Sequence, residues 1–241
     1  MSCCCRSGLS LLAAGIWVFS IVATPARAAI IAGQTDDFEN ATVAGWTSGG
    51  SNPNPAANVS TGGPAGDNDN FMRLTATGSG SGGRLVAFNS DQWTGDFRAA
   101  HVDEIRMEVN SFSIVPPPTP QQETLKLRLI LIDSADAITL CTLGDVSITP
   151  GSGWQSVTFP LTAANLSGGD VNTALAHVTE MDLVHSPTAI FSRQSSPPIV
   201  AQLGVDNIRA VSVPEPTTAV GVASVALAAL IGGGRGCRSR A

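Results

Sequence analysis

The chain contains no tyrosine and little lysine, and charged residues make up only 13% of its 241 positions. It has five cysteines, but Cys3, Cys4, Cys5 and Cys237 sit near the two ends, leaving Cys141 alone in the long middle stretch. One cysteine excludes an internal disulfide framework and a cysteine-based metal site there. The run Cys3-Cys4-Cys5 lacks metal-ligand spacing and lies before an apolar run, where a lipid-bearing cysteine would not sit. Cys141, inside the apolar stretch Ile138–Leu143, reads as a small buried hydrophobe. Catalytic patterns are missing as well. None of His101, His177 and His185 stands at metal-ligand spacing with another ligand, and there is no H-E-x-x-H. There is no G-x-S-x-G elbow and no phosphate loop of the G-x-x-x-x-G-K type. A glycosidase needs two positioned carboxylates, but among so many acids a pair can always be drawn, so that criterion carries no weight. No residue is assigned a catalytic role, and the expectation is that the chain is not an enzyme.

Both ends have the composition of addresses. Residues 1–28 read as a secretory signal peptide: Arg6 near the start, the apolar stretch Leu9–Thr24, and Ala26-Arg27-Ala28 as an A-x-A cleavage site. Residues 214–241 form a second unit. Pro214 and Pro216 remove backbone donors and disfavour helix just before them, so residues 212–217 are expected to be extended and accessible. Thr217–Gly234 is uncharged and about as long as the shortest membrane-spanning helix, ~17–25 residues. Arg235, Arg238 and Arg240 follow it, and the positive-inside bias leaves them cytoplasmic and the middle of the chain outside.

The order Val213-Pro214-Glu215-Pro216-Thr217, apolar helix, arginine cluster resembles the PEP-CTERM family of bacterial sorting signals. That resemblance implies recognition by an exosortase, a membrane-embedded cysteine transpeptidase, and removal of the helix. Pro214, Glu215 and Pro216 would be the recognition residues, and the inner membrane a transient partner through the C-terminal helix. The competing expectation is an ordinary single-pass anchor with a proline hinge.

Residues 29–213 have the size of one domain with room for a real core. Of the 19 acidic and 13 basic side chains, one acid (Glu215) and five bases (Arg6, Arg27, Arg235, Arg238, Arg240) lie in the ends, so the middle carries a net charge of about −10. That charge repels nucleic acid and anionic lipid. Leu125, Leu127, Leu129 and Leu131 alternate with Lys126, Arg128 and Ile130, and Ile105, Met107 and Val109 alternate with Arg106 and Glu108; both are strand patterns. Trp154–Phe159, Phe71–Thr77, Arg84–Asn89, Val178–Val184 and Leu203–Val211 are further candidates, and Asp170–His177 is the one short helical stretch. Clusters of Gly, Pro, Asn and Ser separate them. Many short strands at this spacing predict an all-β fold, a single antiparallel β-sandwich of jelly-roll type. Pro116–Pro120 is then a stiff loop between strands rather than a domain linker.

Two features suggest binding. Asp37 and Glu39 near the start and Asp206 in the last predicted strand would come together if the first and last strands are neighbours, and hard oxygens suit a structural Ca²⁺. This layout loosely resembles carbohydrate-binding and galactose-binding-like jelly rolls, which implies such an ion. Asp67-Asn68-Asp69-Asn70 is a second oxygen-rich loop; for both loops the plain alternative is a solvated turn. Among the tryptophans, Trp154 heads an alternating strand and is expected in the core, Trp46 is ambiguous, and Trp93 in a polar stretch is the candidate platform for a sugar ring.

The leading expectation is therefore an exported, exosortase-processed protein of the cell surface or extracellular matrix, membrane-anchored before processing, with a structural or adhesive role. The alternatives are a Ca²⁺-dependent carbohydrate-binding module, with extracellular polysaccharide as partner, and a secreted hydrolase.

Overall fold

The computed structural model describes residues 29–115 and 121–213. Residues 1–28, expected to be a signal peptide, residues 116–120, and residues 214–241 with Pro214, Glu215 and Pro216 lie outside the described residues. Two antiparallel sheets face each other. The strands are β1 (Thr35–Asp36), β2 (Ala57–Val59), β3 (Phe71–Thr77), β4 (Val86–Asn89), β5 (Glu104–Ser111), β6 (Leu125–Asp133), β7 (Ile138–Thr142), β8 (Val146–Ile148), β9 (Gln155–Pro160), β10 (Leu166–Ser167), β11 (Glu180–His185) and β12 (Val200–Val211), with one short helix, α1 (Val171–Ala176). The first sheet runs β2-β3-β12-β5-β9, with β1 also pairing β12; the second runs β10-β7-β6-β11-β4, with β8 pairing β6. Each sheet takes strands from both sides of residues 116–120.

The alternation of apolar residues places the core. Met72, Leu74 and Ala76 of β3, Ile105, Met107 and Val109 of β5, and Leu203 and Val205 of β12 are buried, as are Leu125, Leu127, Leu129 and Leu131 of β6 from the other sheet. Successive side chains of a strand point to opposite faces, so these sets meet between the sheets. Asp170 opens α1 by accepting the Thr173 N–H at 2.7 Å, an N-cap that satisfies one of the helix's free donors.

The outer faces of the two sheets differ. On the second sheet Arg128, Ile130, Cys141 and Val184 point away from the core yet are buried. The segment after β11 folds over them: Ala189 and Ile190 pack on Ile130, Cys141 and Val184. Arg128 fastens that cover, donating to the carbonyls of Ser186 and Pro187 at 3.0 Å and of Thr142 and Leu143 at 2.6 and 2.7 Å. Arg193 of the same segment lies 3.9 Å over the Phe88 ring and pairs with Glu180. Cys141 is free and buried, as its apolar neighbours suggested, and burial raises its thiol pKa. The first sheet is left with the more open outer face.

Candidate functional site

The outer face of the first sheet is built from the polar positions of β3, β5, β9 and β12. β12 pairs Gly204 with Asn110 and Arg73, and Asp206 with Glu108. Glu108 in turn pairs with Ser156 of β9, and Trp154 stands just ahead of that strand. After Asp206 the register with β5 shifts, and Asn207 adopts a left-handed φ of 49°. Such a bulge adds a residue to one strand and re-aims its side chains. Asp206 and Asn207 are thereby presented together.

At one end of this face stand three aromatic rings. Phe71 and Trp154 have centroids 5.3 Å apart and Phe112 and Trp154 6.1 Å apart, both edge-to-face; Phe71 and Phe112 are 5.5 Å apart. Phe71 is buried, whereas Phe112 and Trp154 are half-exposed. The Trp154 indole N–H donates to the Gly62 carbonyl at 2.9 Å, which fixes its ring. The rings lie over Gly204: a Cβ there would come within 2.8 Å of both Phe112 and Trp154. Glycine in mid-strand marks such a close approach.

From the rings the face continues into a groove of about 410 Å³ lined by Arg106, Met107, Glu108, Ser156, Asn207, Arg209 and Val211. Asn207 joins two carboxylates, donating to Glu108 Oε2 at 2.9 Å and Asp206 Oδ2 at 3.1 Å. The Asp206 carboxyl is pushed up to about 7, first by burial and then by the charges of Asp69, Glu108 and Glu39, against the lowering effect of the Asn207 backbone N–H.

Of the residues proposed for calcium, the fold brings Glu39 close enough to Asp206 to act on its charge, and adds Asp69 and Glu108. Asp37 spends Oδ1 on the Glu39 backbone N–H at 3.2 Å in a local turn. Glu39 accepts the Asn70 N–H at 2.7 Å, which draws the loop holding Asp69 alongside. These like charges around a buried carboxylate raise its pKa; Glu39 is among the groups that act on Asp206, whereas Asp37 is held in its own turn.

The pH dependence has a definite sign. Asp206 moves from an ordinary 3.8 to about 7 on folding. Its contribution to stability is complete below about pH 4 and is lost as pH rises through 7. Asp206→Asn is expected to raise stability at pH 8 in chelator by roughly 1–3 kcal/mol, given ~1.4 kcal/mol per pKa unit, and to reduce the gain the parent protein shows between pH 8 and pH 5. Calorimetry of both proteins measures this; a less stable variant at pH 8 would contradict it. Asp182 is also raised to about 7, by burial first, so the difference between the two proteins is what isolates Asp206.

The tryptophan expectations are reversed by the structure. Trp93 is 0% exposed and Trp46 2%. Their indole N–H groups both donate to Asp36 Oδ2, at 2.6 and 2.8 Å. Trp93 offers no face to a ligand, because its ring is buried and it and its neighbour Gln92 both hydrogen-bond the buried Asp36 carboxylate. Trp154, expected in the core, stands on the outer face. Parity in the sequence carries the signal: Phe112 continues the polar-face series Arg106, Glu108, Asn110, and Trp154 the series Ser156, Thr158. An aromatic residue on a strand's polar face needs a reason other than the core.

Residues 33–212 match the family described as the xyloglucan binding domain of surface glycan-binding protein B. The chain belongs to this family. Membership favours the carbohydrate-binding alternative over the purely structural expectation. No curated protein matches the chain. In structure it is similar to one described as an exo-beta-agarase, with a TM-score of 0.50 and 13% identity over 74% of this chain and 24% of that one. It is also similar to the CBM22-1–CBM22-2 tandem domain of Paenibacillus barcinonensis Xyn10C, with a TM-score of 0.43 and 13% identity over 82% and 49% of the two chains. A structure of carbohydrate-binding modules from the beta-sandwich superfamily gives 0.42 and 11% over 74% and 62%. The chain spans about a quarter of the agarase's length, and at 13% identity that likeness concerns the fold alone. Within the glycan-binding family, the half-exposed rings and the polar groove of the first sheet are this chain's candidate ligand face.

Proposed function

We propose that this chain is an exported, non-catalytic protein that holds an extracellular polysaccharide of the xyloglucan kind along the outer face of the first sheet. The observation that carries it is the Trp154–Phe112 pair over Gly204, continuous with the groove at Glu108, Asn207 and Arg106. An aromatic face matches the C–H face of a pyranose ring, and a few fixed polar groups supply direction and selectivity. Arg106 donates to hydroxyls, and Glu108 and the Asn207 amide oxygen accept from them. Asp206 and Glu108 share one amide instead of flanking open space, which favours holding over hydrolysis. The leader and the tail at Pro214-Glu215-Pro216 supply export and exosortase processing, so the domain would act at the cell surface or in the matrix. Membership of a surface glycan-binding family supports the same location.

Titration with xyloglucan, mixed-linkage glucan and agarose, with assay of released reducing ends, tests this. Saturable binding without cleavage is expected; no binding to any of the three sinks the proposal, and cleavage revives the hydrolase alternative. Calcium belongs to the same proposal, held at Glu39 and Asp206 beside the groove. The melting temperature should fall when Ca²⁺ is replaced by chelator; an unchanged value removes the ion.

A further inference from the structure

The β6–β7 hairpin, at a place unrelated to the glycan face, gathers three metal-ligating side chains. Asp133 ends β6, Asp136 lies in the turn, and His177 caps the C-terminus of α1. One ligand atom from each lies within 4.8 Å of the others, a grouping that no other set of histidine, cysteine and acidic residues reaches among the described residues. His177 Nδ1 is 3.8 Å from Asp136 Oδ2.

A second, independent observation comes from Asp133. It is 0% exposed. Its Oδ1 accepts the backbone N–H groups of Ala135 and Asp136, at 2.9 and 3.2 Å. Its Oδ2 is buried with no hydrogen-bond partner. A buried carboxylate oxygen without a donor is costly unless a cation satisfies it. The surroundings are already held in place. Thr179, two residues after His177, accepts the Ser134 N–H at 3.1 Å through Oγ1 and donates to the Ile132 carbonyl at 2.9 Å. The turn and the end of α1 are thus fastened to each other without using the three ligands.

We propose that Asp133, Asp136 and His177 form a binding site for a divalent first-row transition metal of the Zn²⁺ class. Two carboxylates neutralise the ion's charge, and the imidazole selects it over Ca²⁺ and Mg²⁺, which take oxygen ligands. Bonds of about 2.1 Å place ligand atoms roughly 3.4 Å apart. The exposed Asp136 and His177 side chains can close that distance by changing rotamer, while Asp133 stays fixed. Three protein ligands leave a position open to water. Bound metal would tie the hairpin to α1 and stabilise the end of the sandwich that the helix covers. The sequence hides this site because Asp133 and His177 are far apart along the chain and meet only when α1 packs against β6 and β7.

Calorimetric titration of the full chain with Zn²⁺ and with Ca²⁺, read beside thermal melting, tests it. One Zn²⁺ per chain at this site is expected, with a melting rise of roughly 5–10 °C at a hundredfold excess over Kd. His177→Ala and Asp136→Ala should each abolish that rise. Both side chains are exposed, so neither change should disturb the unliganded fold; His101→Ala serves as the histidine control. Asp133→Asn should also lose the metal, and its melting without metal reports any damage to the turn. Zn²⁺ binding that survives both His177→Ala and Asp136→Ala, or no Zn²⁺ binding at all, overturns the proposal. Ca²⁺ binding at the same residues with equal affinity would overturn the metal class.

Discussion

Trp154→Ala is expected to weaken polysaccharide binding about thirtyfold or more while the protein stays folded. Truncating a central aromatic anchor typically costs 2 kcal/mol or more, and 1.4 kcal/mol is tenfold in Kd. Trp154 is half-exposed, and its partners Phe71 and Phe112 meet it edge-on. A sugar stacked on this cluster would therefore lose its principal surface. The fold loses much less, because Trp154 is outside the hydrophobic core and its one hydrogen bond runs to the Gly62 carbonyl. Gly204→Val should reach a similar end by another route. Its side chain would enter the space 2.8 Å from the edges of both rings and displace them. Affinity electrophoresis in xyloglucan gels, with melting curves for each variant, separates lost binding from lost folding. If Trp154→Ala binds as the parent does, the ligand face lies elsewhere.

The second large effect is on stability. Asp36→Ala should destabilise the protein by roughly 3–5 kcal/mol, about 6–20 °C in melting temperature for a domain of this size. Asp36 accepts both buried indole N–H groups and, at 3.2 Å through each oxygen, the Gln92 amide. Alanine leaves two buried indole donors without their acceptor. Each such orphan costs about 1–3 kcal/mol, more when the lost partner is charged. Burial raises the Asp36 pKa, while the bonds from Trp93, Trp46 and Gln92 pull it down. Those bonds therefore offset part of the cost of burying the carboxylate. Asp36→Asn keeps one acceptor and should recover part of the loss. Trp93→Phe fills most of the cavity but orphans one bond of the same carboxylate; it should lower stability and leave glycan affinity unchanged. Denaturant unfolding of the four proteins measures these differences. An Asp36→Ala protein as stable as the parent would mean the bonded shell contributes nothing net.

The contrast between these two tryptophans shows what local pattern can reveal. Trp93 sits among Ser90, Asp91, Gln92 and Thr94, and that polarity suggested an exposed loop. In the fold part of that polarity is satisfied within the protein: Gln92 reaches the buried Asp36, and the Thr94 hydroxyl donates to the Asp91 carbonyl at 2.7 Å. Sequence polarity records which atoms need partners, and those partners can be protein as well as water. Asp206 illustrates a similar gap. Its closeness to Glu39 followed from neighbouring end strands, but its bond to Asn207 and that residue's bridge to Glu108 depend on a bulge that no alternation announces.

The sequence by itself determined the β-sandwich, because period-two burial can be read residue by residue; β3 has the bounds its alternation marks, and β5, β6, β11 and β12 form where apolar alternation places them. It also carries, at both ends, the linear patterns from which export and processing are proposed. Tertiary structure alone decided which outer face stays open, since the segment after β11 covers Ile130 and Cys141, which lie far from it along the chain. It also decided which tryptophan faces outward and which carboxylates crowd Asp206. These depend on contacts between residues far apart in sequence, whose cost and gain arise only once two elements share the same space.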